Sequence, residues 1–192
     1  RWCSSYLKIS LMDSWIVNDP QFREGKTLVI TGERAQESAS RAKYRQFEPH
    51  RADNRSGRRV RRWVDHWRPV HGWSEKQVWE TIEQYRLVVH PAYFLGFGRC
   101  SCRGCVFGSK DQWATVKVIA PGQFRRIAAY EQRFGVTIHR TETVEQRACA
   151  GRPYVVDPFW ARLGNSTVWD IPMFTDQWVL PAGAYGDSCG PT

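Results

Sequence analysis

Three cysteines fall within six positions of the stretch GRCSCRGCVFGSKDQW, and this array constrains the fold of the chain's middle third more than any other feature. Cys102 and Cys105 have the C-x-x-C spacing, at which a short turn brings two thiolates to one zinc or iron ion. Cys100 precedes the pair by two residues, and the flanking arginines at positions 99 and 103 favour the thiolate form. By ligand type, zinc, an iron–sulfur cluster and free thiols are all compatible, and the spacing does not separate zinc from iron.

The other cysteines, Cys3, Cys149 and Cys189, are scattered, and six cysteines in 192 residues are too few for a disulfide scaffold. The sequence shows no charged-then-apolar leader and no apolar run near the roughly 20 residues of a membrane span. We therefore expect a cytoplasmic protein without a membrane partner. In that compartment a cysteine cluster more often binds metal or performs redox chemistry. A tetrahedral ion or a cubane cluster needs a fourth ligand, for which Cys3 and Cys149 are candidates.

The apolar pattern predicts two strands separated by helical or irregular segments. KTLVITG, residues 26–32, predicts a buried strand feeding a turn, and RWVDHWRPV, residues 62–70, predicts a second strand. Strands that alternate with helices predict an α/β fold with a partly parallel sheet. Two or three strands are few for a complete domain of this class, so we expect an N-terminal half to lie outside this chain.

Helical spacing is clearest in three segments. Leu7, Leu11 and Trp15 stand four residues apart, which predicts a helix with these side chains on one face. Residues 74–86 predict a second helix and residues 122–135 a third, with a glycine as its stop signal. WATVKVIAP, residues 113–121, is compatible with a strand or the start of a helix. Residues 150–192 lack clear periodicity and predict irregular packing or an interaction tail.

The net charge of +9 comes largely from residues 41–68, which hold ten Lys or Arg against three acidic residues. Such a segment is compatible with a solvated basic loop. It is also compatible with a surface that faces the phosphates of a nucleotide or nucleic acid, with Trp63, Trp67 and Trp73 available for stacking.

Four segments of the chain carry a resemblance to a known family in their order and spacing: RWCSSYLKI (1–9), TGERAQESASR (31–41), WRPVHGWSEKQVWETI (67–82) and HPAYFLGFGRCSCRGC (90–105). They resemble the phosphoadenosine phosphosulfate (PAPS) reductase family of the adenine-nucleotide hydrolase-like superfamily. The resemblance covers about residues 1–135 and implies a nucleotide-binding α/β sheet, of which this chain holds the C-terminal part. We accordingly predict a partial domain over residues 1–148 and an irregular extension, rich in aromatic residues, Gly and Pro, over residues 149–192.

The resemblance implies that five residues contact the phosphate or sulfate end of an adenine nucleotide such as ATP, adenylyl sulfate (APS) or PAPS. Arginine forks pair with oxyanions, and a glycine after a strand lets the backbone approach them. The alternative is that the charged residues only form ion pairs along a helix. The five residues are Gly32, Arg34, Glu37, Ser38 and Arg41.

In the cluster-bearing branches of the family, a cysteine near an R-x-C-like motif joins a later C-x-x-C. These branches are the adenylyl-sulfate reductases and a subunit that helps to place sulfur in the DNA backbone. The resemblance therefore implies a [4Fe–4S] cluster on Cys3, Cys102 and Cys105, with zinc as the alternative. Cys100 is preferred over Cys149 as the fourth ligand.

The chain departs from the family pattern in two places. The phosphate loop, an S-G-G-x-D/K-S type turn after the first strand, is absent, so we expect a partner chain to supply it. Cys3 is followed by Ser4, where the reductases carry a second cysteine. The tail GDSCGPT resembles the acidic-Cys-Gly tail that carries the reductases' catalytic thiol, which implies that the Cys189 thiolate attacks sulfur and leaves an enzyme thiosulfonate.

The sequence thus predicts an enzyme, an oxidoreductase or sulfurtransferase that acts on a sulfonucleotide. One alternative is a DNA- or RNA-binding subunit of a sulfur-modification system. The other is a zinc-stapled, non-catalytic nucleotide-binding remnant that acts only with a partner chain.

Overall fold

A computed structural model describes residues 2–186 of the chain, which divides into two compact units, Arg1–Ser74 and Glu75–Thr192. The first unit is mixed α/β with a small sheet, as predicted, and the described part of the second unit is built from helices and loops. The boundary predicted at residue 148 is of another kind, since it marks how far the family resemblance extends, and it stays a prediction. Within residues 2–186, no helix has both the length and the apolar character needed to cross a bilayer.

The first unit begins with a continuous helical stretch and continues into a three-stranded sheet. The helical stretch consists of α1 (Trp2–Ser4), a π-helical segment (Ser5–Ile9) and α2 (Ser10–Asn18). The remaining elements are a 3₁₀ turn (Pro20–Arg23), β1 (Lys26–Ile30), a 3₁₀ turn (Ala35–Glu37), α3 (Ala39–Ala42), β2 (Phe47–Pro49) and β3 (Trp63–Trp67).

The sheet has the strand order β1-β3-β2, so β3 is central. β1 runs parallel to β3, with Lys26 opposite Trp63 and Ile30 opposite Trp67. β2 is antiparallel to β3 and places Phe47 opposite Trp67. The sheet is therefore partly parallel, as predicted. β1 and β3 are the two predicted strands, but β1 is not buried as predicted, because its Leu28 and Ile30 are 49 and 58% exposed. The three-residue β2 was not predicted.

The first segment is helical, as predicted, and its three evenly spaced apolar side chains are all exposed. Leu7, Leu11 and Trp15 are 62, 61 and 57% exposed. Ile16 on α2 is instead the buried residue, at 2%, and it packs near Val64 of β3. The spacing therefore indicates the helix but not the face that packs on the sheet.

The second unit confirms two predicted helices, decides between the two alternatives for a third segment and corrects a fourth. Residues 113–119 belong to a helix and not to a strand, because Ser109 and Gln112 form a capping box that starts a helix there. The segment predicted as irregular contains a helix that begins at Pro158. Gly135 ends the predicted helix over 122–135 with φ +65°. The helices are α4 (Glu75–Gln84), α5 (Pro91–Phe94), α6 (Lys110–Ile119), α7 (Pro121–Phe134), α8 (Val144–Cys149) and α9 (Pro158–Asn165).

The core of the second unit is built around Trp113, which is 1% exposed on α6. It packs with Phe124 of α7 and Val144 of α8, and the partly buried Tyr154 and Trp160 pack against the same cluster. The segment predicted as an irregular extension therefore contributes to this core. The loop with the three cysteines connects α5 to α6, so its end is fixed by the most buried helix of the unit.

Candidate functional site

The turn that follows β1 is held at the sheet edge where β1 and β3 end. The Thr31 N–H donates to the Trp67 carbonyl at 3.1 Å, and the Ala35 N–H donates to the His71 carbonyl at 2.8 Å. Because parallel strands bring their carboxyl ends to one edge, this is where an α/β sheet presents a ligand site. Segment 31–41 thus follows β1 at this edge, and its predicted contact with a nucleotide stays a prediction.

The residues predicted to bind an anion are neighbours in this turn, and they pair with one another. Arg41 Nη1 forms a short ion pair with Glu37 Oε2, and Arg34 Nε lies 3.7 Å from Glu37 Oε1. The Ser38 hydroxyl accepts the Arg41 N–H at 3.2 Å as the N-cap of α3. A Cβ at Gly32 would meet no atom within 4 Å, so open space lies beside this backbone.

A buried arginine ties the turn to the sheet. Arg68, which follows β3 and is 5% exposed, donates from Nε to Glu33 Oε2 at 2.6 Å and from Nη1 to Glu48 Oε1 at 2.7 Å. Its Nη2 donates to His66 Nδ1 at 3.0 Å. The other His66 nitrogen, Nε2, then carries the proton and donates to Thr31 Oγ1 at 2.8 Å. These contacts join residues after β1, on β2 and on β3.

The pKa values in this network follow from the contacts. Burial alone would raise the pKa of Glu33, but the hydrogen bond and charge of Arg68 outweigh it and hold that pKa below its ordinary value. Burial and then the charge of Arg68 lower the pKa of His66, so the ring is neutral at pH 7. Burial likewise lowers the pKa of His50, whose Nδ1 accepts the Ala52 N–H at 3.1 Å.

The three clustered cysteines line one cavity of about 190 Å³ in the second unit, together with His90 and Trp113. Arg99 Nη2 donates to Cys105 Sγ at 3.6 Å.

Two arginines anchor the cysteine loop through hydrogen bonds to backbone carbonyls. Arg103 donates through Nη2 to the Gly164 carbonyl of α9 at 2.9 Å. The buried Arg147 of α8 donates through Nη2 to the Gly108 carbonyl at 2.7 Å. The cavity is thereby built on fixed elements at both ends of the cysteine stretch.

The chemical groups that line the cavity suit a metal centre bound by sulfur. Three thiols supply soft ligands, and two buried donors of the wall, Arg99 Nε and Trp113 Nε1, lack acceptors among the described residues. Thiolate and sulfide sulfur would accept hydrogen bonds from such donors. Nevertheless, the described residues contain no group of three or more His, Cys, Asp or Glu side chains arranged to hold a metal ion. The metal site therefore stays a prediction.

The other predicted sulfur ligands lie elsewhere in the chain. Cys3 belongs to the first unit and is a half-buried free thiol. Cys149 is exposed at the end of α8, where Lys117 Nζ lies 4.0 Å from its sulfur, and it does not line the cavity. Cys189, the predicted nucleophile, lies outside the described residues.

The basic segment is divided by the structure into paired and unpaired arginines. Arg62 and Arg68 are buried, and Arg55 pairs with Asp53 and Asp65. The ring of Trp63, predicted for stacking, has the charges of Lys26 and Arg55 at 4.6 and 4.4 Å from its centroid. Three exposed arginines have no ion pair or side-chain hydrogen bond to any described residue: Arg58, Arg59 and Arg61.

Comparison with known proteins supports the resemblance. Residues 17–107, just under half of the chain, match the family model of the phosphoadenosine phosphosulfate reductase domain. This range includes the turn after β1 and the C-x-x-C pair, while the segment around Cys3 lies before it. An α/β domain of PAPS reductase type is the class of protein that the small mixed sheet and this match support.

A relative is found in Escherichia phage 186, named "Uncharacterized 37.8 kDa protein in gpa 5'region". It is 28% identical over 132 residues, which are 69% of this chain and 37% of the phage protein. The matched region therefore spans well under half of the relative's length. No solved structure matches the chain.

Sequence reasoning missed two parts of these sites. The network of Arg68 was not predicted, although alternation in the second strand segment places Val64, His66 and Arg68 on one face of β3. His90 and Trp113 were not expected beside the cysteines. The pair His90–Pro91 could have indicated His90, because it fixes the start of α5 close to the cysteine loop.

Proposed function

We propose that this chain is a PAPS reductase-family protein that binds an adenine nucleotide, ATP, APS or PAPS, at the turn after β1. A [4Fe–4S] cluster, or alternatively zinc, would be held by Cys3, Cys100, Cys102 and Cys105. The activity would be sulfonucleotide reduction or sulfur transfer in the cytoplasm. The observation that carries the proposal is the family match over 17–107, which joins the arginine-rich turn and the C-x-x-C pair in one domain type.

The chain's own groups have separate tasks in this proposal. Arg34 and Arg41 pair with the anionic end of the nucleotide, and the Ser38 hydroxyl adds a hydrogen bond. The metal centre would supply an electron path or a positive field. If Cys189 is the nucleophile, its thiolate forms an S–S bond to the sulfonate sulfur while the S–O bond to the nucleotide phosphate breaks, which leaves an enzyme thiosulfonate and the free nucleotide.

Anaerobic purification with iron, sulfide and zinc quantified tests the metal part. We expect about four iron and four sulfide per chain, as a [4Fe–4S] cluster requires. Cys102→Ser should abolish iron binding, and Cys3→Ser and Cys100→Ser should lower it, while Cys149→Ser serves as the matched control. One colourless zinc per chain would support the zinc-stapled, non-catalytic alternative, and no metal in anaerobic protein would refute both.

Catalysis is tested by mixing the purified protein with APS or PAPS and a dithiol reductant and measuring sulfite. Cys189→Ser should abolish product and leave the metal content unchanged. Product formed equally by wild type and Cys189→Ser would contradict the role of this thiol.

A partner segment that supplies the phosphate loop has support in the sheet. β1 is an edge strand of the described sheet, and its Leu28 and Ile30 are 49 and 58% exposed. A parallel strand normally has both faces covered and both edges paired, unless it is terminal in the sheet. We propose that a strand carrying the phosphate loop pairs with β1. Adding a polypeptide with that loop should increase nucleotide affinity, whereas no change would contradict the proposal.

Nucleic-acid binding is the second candidate, and the unpaired Arg58, Arg59 and Arg61 favour it. Exposed arginines without internal partners are free to neutralise phosphates, so binding to single-stranded DNA should weaken steeply with salt. Their triple Ala variant should lose this binding. A charge-matched control, Arg125→Ala with Arg126→Ala and Arg140→Ala in the second unit, should keep it. No binding of wild type at low salt eliminates this candidate.

A further inference from the structure

We infer that Glu37 is an internal counter-ion that occupies the anion site after β1 and must leave when a phosphate or sulfate group binds. This inference rests on the nucleotide site proposed above. The Glu37 carboxylate pairs with Arg41 through one oxygen and lies 3.7 Å from Arg34 Nε through the other. Two guanidinium groups around one carboxylate form the arrangement that also binds the oxygens of phosphate or sulfate.

The two arginines keep their anchors without Glu37. Arg34 Nη1 donates to Gln36 Oε1 at 3.1 Å and to the Trp73 carbonyl at 3.4 Å. The Arg41 backbone is fixed at both ends, because its N–H donates to Ser38 Oγ and its carbonyl oxygen lies 2.9 Å from His71 Nε2. An incoming anion would therefore meet an Arg34 guanidinium that is already placed and an Arg41 whose backbone is fixed.

Glu37 itself is the movable member of the set. Its side chain is 29% exposed at the end of a 3₁₀ turn, and the two arginines are the partners that the structure gives it. The neighbouring Glu33 differs, because the buried Arg68 holds it in the network behind the turn. Rotation of Glu37 into water breaks two partly solvated ion pairs and leaves the core of the unit unchanged. Exchange of one anion for another thus costs less than exposure of bare arginines.

Binding of inorganic phosphate and of ATP to wild type, Glu37→Gln and Glu24→Gln tests the inference by titration calorimetry. Glutamine keeps the size of residue 37 and removes the competing charge. We expect Glu37→Gln to bind both probes about two- to tenfold more tightly than wild type, from the usual strength of two exposed ion pairs. Glu24→Gln removes the same charge from an exposed site before β1 and should leave both affinities unchanged.

The outcomes separate the inference from the proposed function. If wild type and both variants fail to bind phosphate and ATP, the nucleotide site is wrong and the inference fails with it. If wild type binds, and Arg34→Ala and Arg41→Ala remove binding, the site stands. In that case equal or weaker binding by Glu37→Gln means that Glu37 positions the arginines, and the inference is overturned. Equal tightening in Glu24→Gln would likewise overturn it, as an effect of net charge alone.

Discussion

Replacement of Arg68 by methionine should destabilise the first unit by about 3 kcal/mol. The change removes a buried guanidinium that donates to Glu33, Glu48, His66 and the Arg45 carbonyl. Loss of one partner from a buried ion pair typically costs about 3–5 kcal/mol, because the other charge stays without compensation. The carboxylate side chains of Glu33 and Glu48 are 30 and 32% exposed, so water partly replaces the arginine. We therefore take the lower end of that range.

Hydrogen exchange of the β3 amides measures this loss in the first unit alone, since opening of each unit is reported by its own amides. Arg59→Met is the matched control, because it removes the same charge from an exposed residue of the same unit. We expect Arg59→Met to change the opening free energy by less than about 0.5 kcal/mol. A loss below about 1 kcal/mol in Arg68→Met, or an equal loss in the control, would refute the assignment of Arg68 as the link between the three strands.

Three further outcomes follow from single features. The pKa of His66 lies below its ordinary value in the folded protein, so the unfolded chain binds the extra proton more readily. Stability should therefore fall as the pH drops through about 6.5 and below. Thermal melting at pH 7.5 and 5.5 should show a smaller fall in melting temperature for His66→Gln than for wild type. A Cβ at Gly57 would collide with the Val60 carbonyl, so Gly57→Ala should cost about 1–3 kcal/mol in urea unfolding, and a neutral result would contradict this loop packing. Arg99→Gln should slow alkylation of Cys105 by the anionic reagent iodoacetate, measured by mass spectrometry, because it removes the positive charge 3.6 Å from the sulfur; an unchanged rate would contradict this contact.

Local patterns predicted the parts of the fold that depend on neighbours in sequence. The run that became β1, the second strand at β3 and the glycine stop at residue 135 each act within a few residues, and the structure confirms these elements. Arg34, Ser38 and Arg41 lie together after β1, while their contact with a nucleotide stays a prediction. Glu37, predicted to contact the same nucleotide, pairs with both arginines.

Features that depend on long-range packing were not predictable from spacing. Glu33, Glu48 and Arg68 are brought together only by the strand order, which no local pattern specifies. The spacing of Leu7, Leu11 and Trp15 did not identify the helix face that packs on the sheet, which carries Ile16. The segment that contains α9 was predicted to be irregular from its Gly and Pro content, yet the Asp157 side chain caps a helix there by accepting the Phe159 N–H.

β1 carries more apolar residues than the described first unit buries. A continuous apolar run is typical of a strand that is covered on both faces. Val29 packs against the unit's core, whereas Leu28 and Ile30, on the opposite face, are half exposed. The register places Ile30 beside Trp67, which is also exposed, so the apolar surface continues across the parallel pair. A strand exposed to water on one face needs apolar residues at alternate positions only. The apolar residues at the intervening positions of β1 therefore favour a further segment that covers this face of the sheet.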